Sequence, residues 1–209
     1  VKNYYNFSAI LLTENGERSI IHFATPHQTL FDHGIKISHL RQAKMVYLGN
    51  LPEVNLKEKL KILQFLRKNS VINIVNLGVS DCRRPKNDLL PLLKHIDILI
   101  LNDHEFAELV KASYKDIYFY EDVISHYIPM LYSHLVIITA GEKGSFGYCE
   151  GKVYYQKALQ VEKIIDTTGC GDGYTAGFIG EFLYSKNIEK SMEKGAKYAA
   201  KILRKIGAN

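Results

Sequence analysis

Residues 166–178 read DTTGCGDGYTAGF, two carboxylates around a glycine turn where an apolar helical face of Tyr174, Gly177, Phe178 and Phe182 begins. Backbone N–H groups in a glycine turn that opens a helix make a site for an anion. A strand ending at Ile165 is expected to lead in, so the local order is strand, tight turn, helix. The glycine spacing is neither that of Walker A nor that of the dinucleotide fingerprint. Two readings of Asp172 stand open on local physics. It caps the helix, worth about 1 kcal/mol, with glycines that merely form the turn. Alternatively it is a general base, because a carboxylate beside bound phosphate is repulsive and useful mainly for taking a proton from an attacking hydroxyl. In the second reading the amides of Gly169, Cys170 and Gly171 hold charge developing on a transferred phosphoryl group. Cys170 reads as a small turn residue offering its amide, since no His stands near it and no base is otherwise implied.

Upstream, NFSAILLT and RSIIHFA flank ENGE, whose Asn15-Gly16 pair favours a tight hairpin over residues 5–24. The short apolar runs at 45–49, 71–76, 96–102 and 134–139 suit strands buried on both faces. Between them, LKEKLKILQFLRKN repeats Leu60, Leu63 and Leu66 on one helical face, with its lysines largely elsewhere. Alternating strands and helices predict a mostly parallel sheet. After Thr139 three short strand candidates, GSFGYC, KVYYQKA and LQVEKII, predict an antiparallel edge, and helices over 171–185 and 188–205 close the chain.

With 209 residues, one domain is the expectation. The net charge of +5 is too mild to demand nucleic acid without a basic arm. Lys194, Lys197, Lys201 and Arg204 form a stripe opposite Ala196, Ala199, Ala200 and Leu203, the pattern of an amphipathic surface helix. Three cysteines, Cys82, Cys149 and Cys170, without C-x-x-C spacing fit a reducing cytoplasm, and the dispersed histidines lack metal-ligand spacing. No apolar run has the length of a membrane span.

The D-T-T-G-x-G-D turn, followed by an aromatic residue and a small-residue helix, resembles the signature of the ribokinase-like, PfkB-type carbohydrate and nucleoside kinases. Three further stretches agree. ILILNDHEF resembles the family's strand followed by N-x-x-E, at Asn102 and Glu105. VIITAGEKGSFGY resembles its T-x-G-x-x-G, at Thr139, Gly141 and Gly144. The terminal Gly207-Ala208 resembles the close of the family's last helix. Spacing alone places Asn102 and Glu105 on the first turn after a strand, where Glu105 either complements the helix dipole or faces a cleft.

The resemblance implies an α/β fold: a mostly parallel sheet flanked by helices, a β-hairpin lid with its return at 1–30, and a nucleotide-binding and catalytic core at 31–209. It implies ATP-dependent phosphotransfer to a small sugar, with nucleoside phosphorylation or silent nucleotide binding as alternatives. Asp172 would be the base. Thr139 and Gly141 would approach ATP, Gly144 would allow the following turn, and Glu105 would hold Mg²⁺ through water. Asp166 and Thr168 would contribute to a monovalent cation site for an ion such as K⁺. A homodimer through the hairpin is a further expectation, with no nucleic acid or membrane partner. The stretch 7–24 resembles the middle of a family member, so the chain is expected to be either a fragment of a longer kinase or a shortened relative that lacks the family's N-terminal substrate-binding segment. Because correct orientation supplies roughly 7 to 11 kcal/mol of barrier reduction, this chain alone is expected to turn over weakly or not at all.

Overall fold

In the computed structural model, which describes residues 6–12, 18–24, 36–52 and 54–205, strands β1 (Asn6–Leu12) and β2 (Arg18–Ala24) form a separate two-stranded sheet. They pair antiparallel from Asn6 opposite Ala24 to Leu12 opposite Arg18, as the flanking apolar runs predict. The Asn15-Gly16 turn and Gly207-Ala208 lie outside the described residues.

The remaining order is β3 (Met45–Leu48), α1 (Leu56–Lys68), β4 (Ile72–Val75), α2 (Val79–Cys82), α3 (Lys86–Leu93), β5 (Ile98–Asn102), α4 (Asp103–Val110) and α5 (Val123–Tyr127). Then come β6 (Leu135–Thr139), β7 (Ser145–Cys149), β8 (Lys152–Gln156), α6 (Cys170–Ser185) and α7 (Ile188–Ile202). Strands β3 to β8 form one six-stranded sheet in sequence order. β3 through β6 are parallel, and β7 and β8 add antiparallel at one edge.

Alternation along the strands divides the core between the two faces of the sheet. Leu99, Leu101, Val136 and Ile138 pack with Ile62, Leu63, Leu89, Leu92 and Phe106 of α1, α3 and α4. Ile98, Ile100, Leu135 and Ile137 pack with Tyr174, Phe178 and Met192 of α6 and α7. The apolar runs are continuous because each strand is covered on both sides. On α7, Met192, Gly195 and Ala196 are buried while Lys194, Lys197 and Lys201 are exposed, as is Arg204 just past the helix, the amphipathic division expected.

Two expectations need correction. LQVEKII is not a strand: no ladder partner meets it, Leu159, Ile164 and Ile165 are exposed, and the Ile165 N–H donates to the Leu203 carbonyl at the end of α7. The chain therefore enters the glycine turn from a helix-end contact. Lys59 of α1 does not join the other lysines outside; it is 2% exposed and paired with Asp81 of α2, itself 1% exposed.

Candidate active site

The glycine turn is built by side-chain and backbone hydrogen bonds before α6 starts. Asp166 is buried, and its Oδ1 accepts the Thr168 N–H at 2.8 Å, which bends the chain back on itself. Gly169 then takes φ 75° and ψ 2°, a left-handed conformation suited to a residue without Cβ, and is the N-cap of α6. The Gly173 N–H donates to the Gly169 carbonyl at 2.8 Å, closing the first helical turn.

This geometry removes the capping role of Asp172. The residue stands third in the helix, exposed, and does not cap it. The expected amide set changes as well: Cys170 N–H donates to the Thr167 carbonyl at 3.2 Å, so it is turned inward. The first-turn N–H groups without a backbone acceptor among the described residues are those of Gly171 and Asp172. Nothing lies within 4 Å of where a Cβ on Gly171 would stand, which leaves room for an anion. The Cys170 thiol lies 3.9 Å from the Ala199 carbonyl, a packing contact with α7.

At the end of β5 a reciprocal cap joins the second predicted pair. Asn102 Oδ1 accepts the Glu105 N–H at 2.7 Å, and Glu105 Oε2 accepts the Asn102 N–H at 2.9 Å. Asn76, just past β4, adds a donor to the same carboxylate oxygen at 3.4 Å and anchors itself on the Ile100 carbonyl at 2.9 Å. Burial raises the Glu105 carboxyl above its ordinary value, while the two donors partly oppose that rise. One Glu105 oxygen closes the cap at the carboxyl end of β5, the first-turn role considered for it.

Tyr47, near the end of β3, lies within electrostatic reach of both carboxylates. Its hydroxyl is pushed up to about 12, first by burial and then by the negative charges of Asp172 and Glu105, with Thr175 as an opposing hydrogen-bond partner. Tyr47 and Asn76 are the residues that sequence reasoning missed. The only signal for either was a polar side chain at the carboxyl end of an apolar parallel strand, the place where sites form in such sheets.

The third motif lies beside the second, because Thr139 pairs with Asn102 across β6 and β5. Thr139 Oγ1 reaches the Leu101 carbonyl at 3.5 Å. A Cβ on Gly141 would meet nothing within 4 Å, so the backbone there is open to approach. Gly144 shapes the turn into β7. At its φ of 94°, a Cβ would stand 2.1 Å from the Gln156 carbonyl oxygen. Lys143 donates to the Tyr114 hydroxyl at 2.8 Å.

Among the described residues no group of three or more His, Cys, Asp or Glu could hold a metal ion. Glu105, with Asp103 near it, is a carboxylate that could hold a hydrated cation such as Mg²⁺ through water, since that ion keeps much of its hydration and shares ligands with substrate phosphates.

The chain resembles known kinases in sequence and in fold. The chain is 30% identical over 122 residues to a nucleoside kinase of Methanocaldococcus jannaschii, covering 58% of this chain and 37% of that protein. It is 28% identical over 170 residues to a cytidine kinase of Thermococcus kodakarensis, covering 79% and 57%. The chain thus spans well under two thirds of these relatives. Among solved structures, adenosine kinase from Sinorhizobium meliloti superposes with TM-score 0.83 at 20% identity, over 100% of this chain and 64% of that one. Arabidopsis thaliana ribokinase complexed with ribose and ATP superposes with TM-score 0.77 at 23% identity, over 97% and 64%. Both share the ribokinase-like fold. The family model described as pfkB family carbohydrate kinase matches residues 5–209, and the chain belongs to that family.

Proposed function

We propose that this chain carries the nucleotide-binding and catalytic machinery of an ATP-dependent phosphotransferase acting on a hydroxyl of a small sugar or sugar-like compound. The observation that carries the reading is the start of α6, where two outward amides and the exposed Asp172 carboxylate share one helical turn. Those amides and the helix dipole hold developing phosphoryl charge, and Asp172 takes the proton of the attacking hydroxyl. Thr139 and Gly141 border the nucleotide, and Glu105 holds Mg²⁺ through water. Asp166 and Thr168 contribute to a monovalent cation site at the turn. The β1–β2 hairpin serves as a lid and as a surface for self-association. ATP supplies the phosphoryl group when bound.

Asp172→Asn is the test. In the intact protein, kcat falls by about 10² to 10⁴ while nucleotide affinity, read by calorimetry, stays the same. An unchanged kcat would remove Asp172 from the role of base.

The names of two relatives, nucleoside kinase and cytidine kinase, favour a second reading in which the acceptor is a nucleoside. Thermal-shift screening of sugars against nucleosides separates the two, because only a bound acceptor stabilises the folded state.

A further inference from the structure

A groove of about 590 Å³, lined by none of the glycine-turn residues, lies between α2 and α4. Its size is within the range of small-molecule sites, about 300 to 1,000 Å³. Small side chains create the space: Val79 of α2, Ala107 of α4 and Ala112 beyond it. On α4, His104, Ala107 and Glu108 follow the i, i+3, i+4 spacing of one helical face, and Lys111, the left-handed C-cap just past the helix, joins the lining.

Its walls have specific chemistry. The His104 and Tyr114 rings stack with centroids 4.9 Å apart, and the His104 side chain is 74% exposed. Lys143 stands 4.9 Å over the Tyr114 ring and fixes its hydroxyl. Opposite them, Arg83 reaches one oxygen of Glu108 through both Nε and Nη2 at 2.9 Å. A guanidinium carries five N–H donors, and this one is 65% exposed, so several remain for an anion. Lys111 donates to the Cys82 carbonyl at 2.9 Å, which spends one of three ammonium hydrogens.

We propose that this groove is a second ligand site, taking a planar aromatic ring that bears an anionic group. The ring lies over the alanine floor against the exposed His104 ring, which is itself backed by Tyr114, and the anion meets Arg83 and Lys111. Glu108 disfavours a dianion placed deep in the groove and favours one at the rim beside Arg83. The groove shares no residue with the glycine turn, while His104 stands between Asn102 and Glu105 and Lys143 between Gly141 and Gly144, so the Arg83 and His104 substitutions separate it from the nucleotide half.

AMP is the probe, titrated by calorimetry into the Gly171→Asp chain so that the glycine turn is blocked. Saturable binding is expected, weakened at least about tenfold by Arg83→Ala and by His104→Ala, two exposed positions whose loss leaves the core intact. Adenosine or inorganic phosphate alone should bind more weakly than AMP. Absence of AMP binding up to about 1 mM in the folded Gly171→Asp chain overturns the proposal. So does binding that neither groove substitution alters. Circular dichroism of each variant establishes that it is folded.

Discussion

Asn102 and Glu105 cap each other, the Asn102 Oδ1 on the Glu105 N–H at 2.7 Å and the Glu105 Oε2 on the Asn102 N–H at 2.9 Å. The exchange holds a buried carboxylate at the carboxyl end of β5, and it has a consequence for stability against pH. Because burial raises the Glu105 carboxyl in the folded state, the folded chain binds its proton more tightly than the unfolded chain does. The resulting stabilisation is present below the unfolded glutamate value, about 4.3, and is lost as pH rises through the folded value. Glu105→Gln removes that dependence. Urea midpoints should show the variant gaining on the parent between about pH 4 and pH 7; a constant difference across that window would refute the assignment. The same variant should shift the Mg²⁺ dependence of turnover in the intact protein.

Gly171 and Gly144 should answer substitution in opposite ways. Nothing stands within 4 Å of a Cβ on Gly171, so Gly171→Asp folds normally, and its carboxylate repels an incoming phosphate. ATP affinity by calorimetry should fall at least about tenfold with the melting temperature unchanged. Gly144→Ala forces an alanine to φ 94° with its Cβ against the Gln156 carbonyl, and should cost about 2 to 4 kcal/mol in denaturant unfolding.

The crossing of α6 over α7 relies on two glycines. A Cβ on Gly177 would stand 2.7 Å from the Lys194 carbonyl oxygen, and one on Gly195 would stand 3.0 Å from that of Tyr174. Backbone atoms cannot give way as a flexible side chain does. Gly177→Ala should therefore destabilise by about 1 to 3 kcal/mol, and Gly195→Ala by a similar or smaller amount, read from urea midpoints.

The buried pair of Lys59 and Asp81 joins α1 to α2, with Arg84 adding a contact to the other Asp81 oxygen at 3.4 Å. Asp81→Ala leaves an ammonium group in the interior without its counter-ion and should cost about 3 to 5 kcal/mol. The double substitution Lys59→Met with Asp81→Leu should recover most of that loss. A double variant as unstable as Asp81→Ala would show that the pair does more than neutralise itself.

Periodicity made the central strands and the two last helices legible, because a strand covered on both faces must be apolar throughout and a surface helix must divide its faces. The boundaries moved by one to three residues: α6 starts at Cys170, one residue before the expected position, and α7 ends at Ile202, three before. LQVEKII failed for a physical reason: alternating apolar residues allow a strand, but only a neighbouring edge with free donors and acceptors makes one, and here the end of α7 takes the Ile165 N–H. The burial of Lys59 was equally hidden, since a lysine within a helical pattern carries no mark of a carboxylate twenty-two residues away.

By itself, the sequence determined the layout of a parallel α/β sheet with an antiparallel edge, the glycine turn at the head of α6, and the three motifs that place the chain in its family. These are short-range properties, set by side-chain period and backbone freedom within a few residues. The tertiary structure alone decided which amides of the turn face outward, that Asp172 stands inside the helix without capping it, and that Tyr47 and Asn76 join the site. Those outcomes depend on which strand ends and helix starts meet in space, and the meeting is fixed by packing across the sheet between residues far apart in the chain.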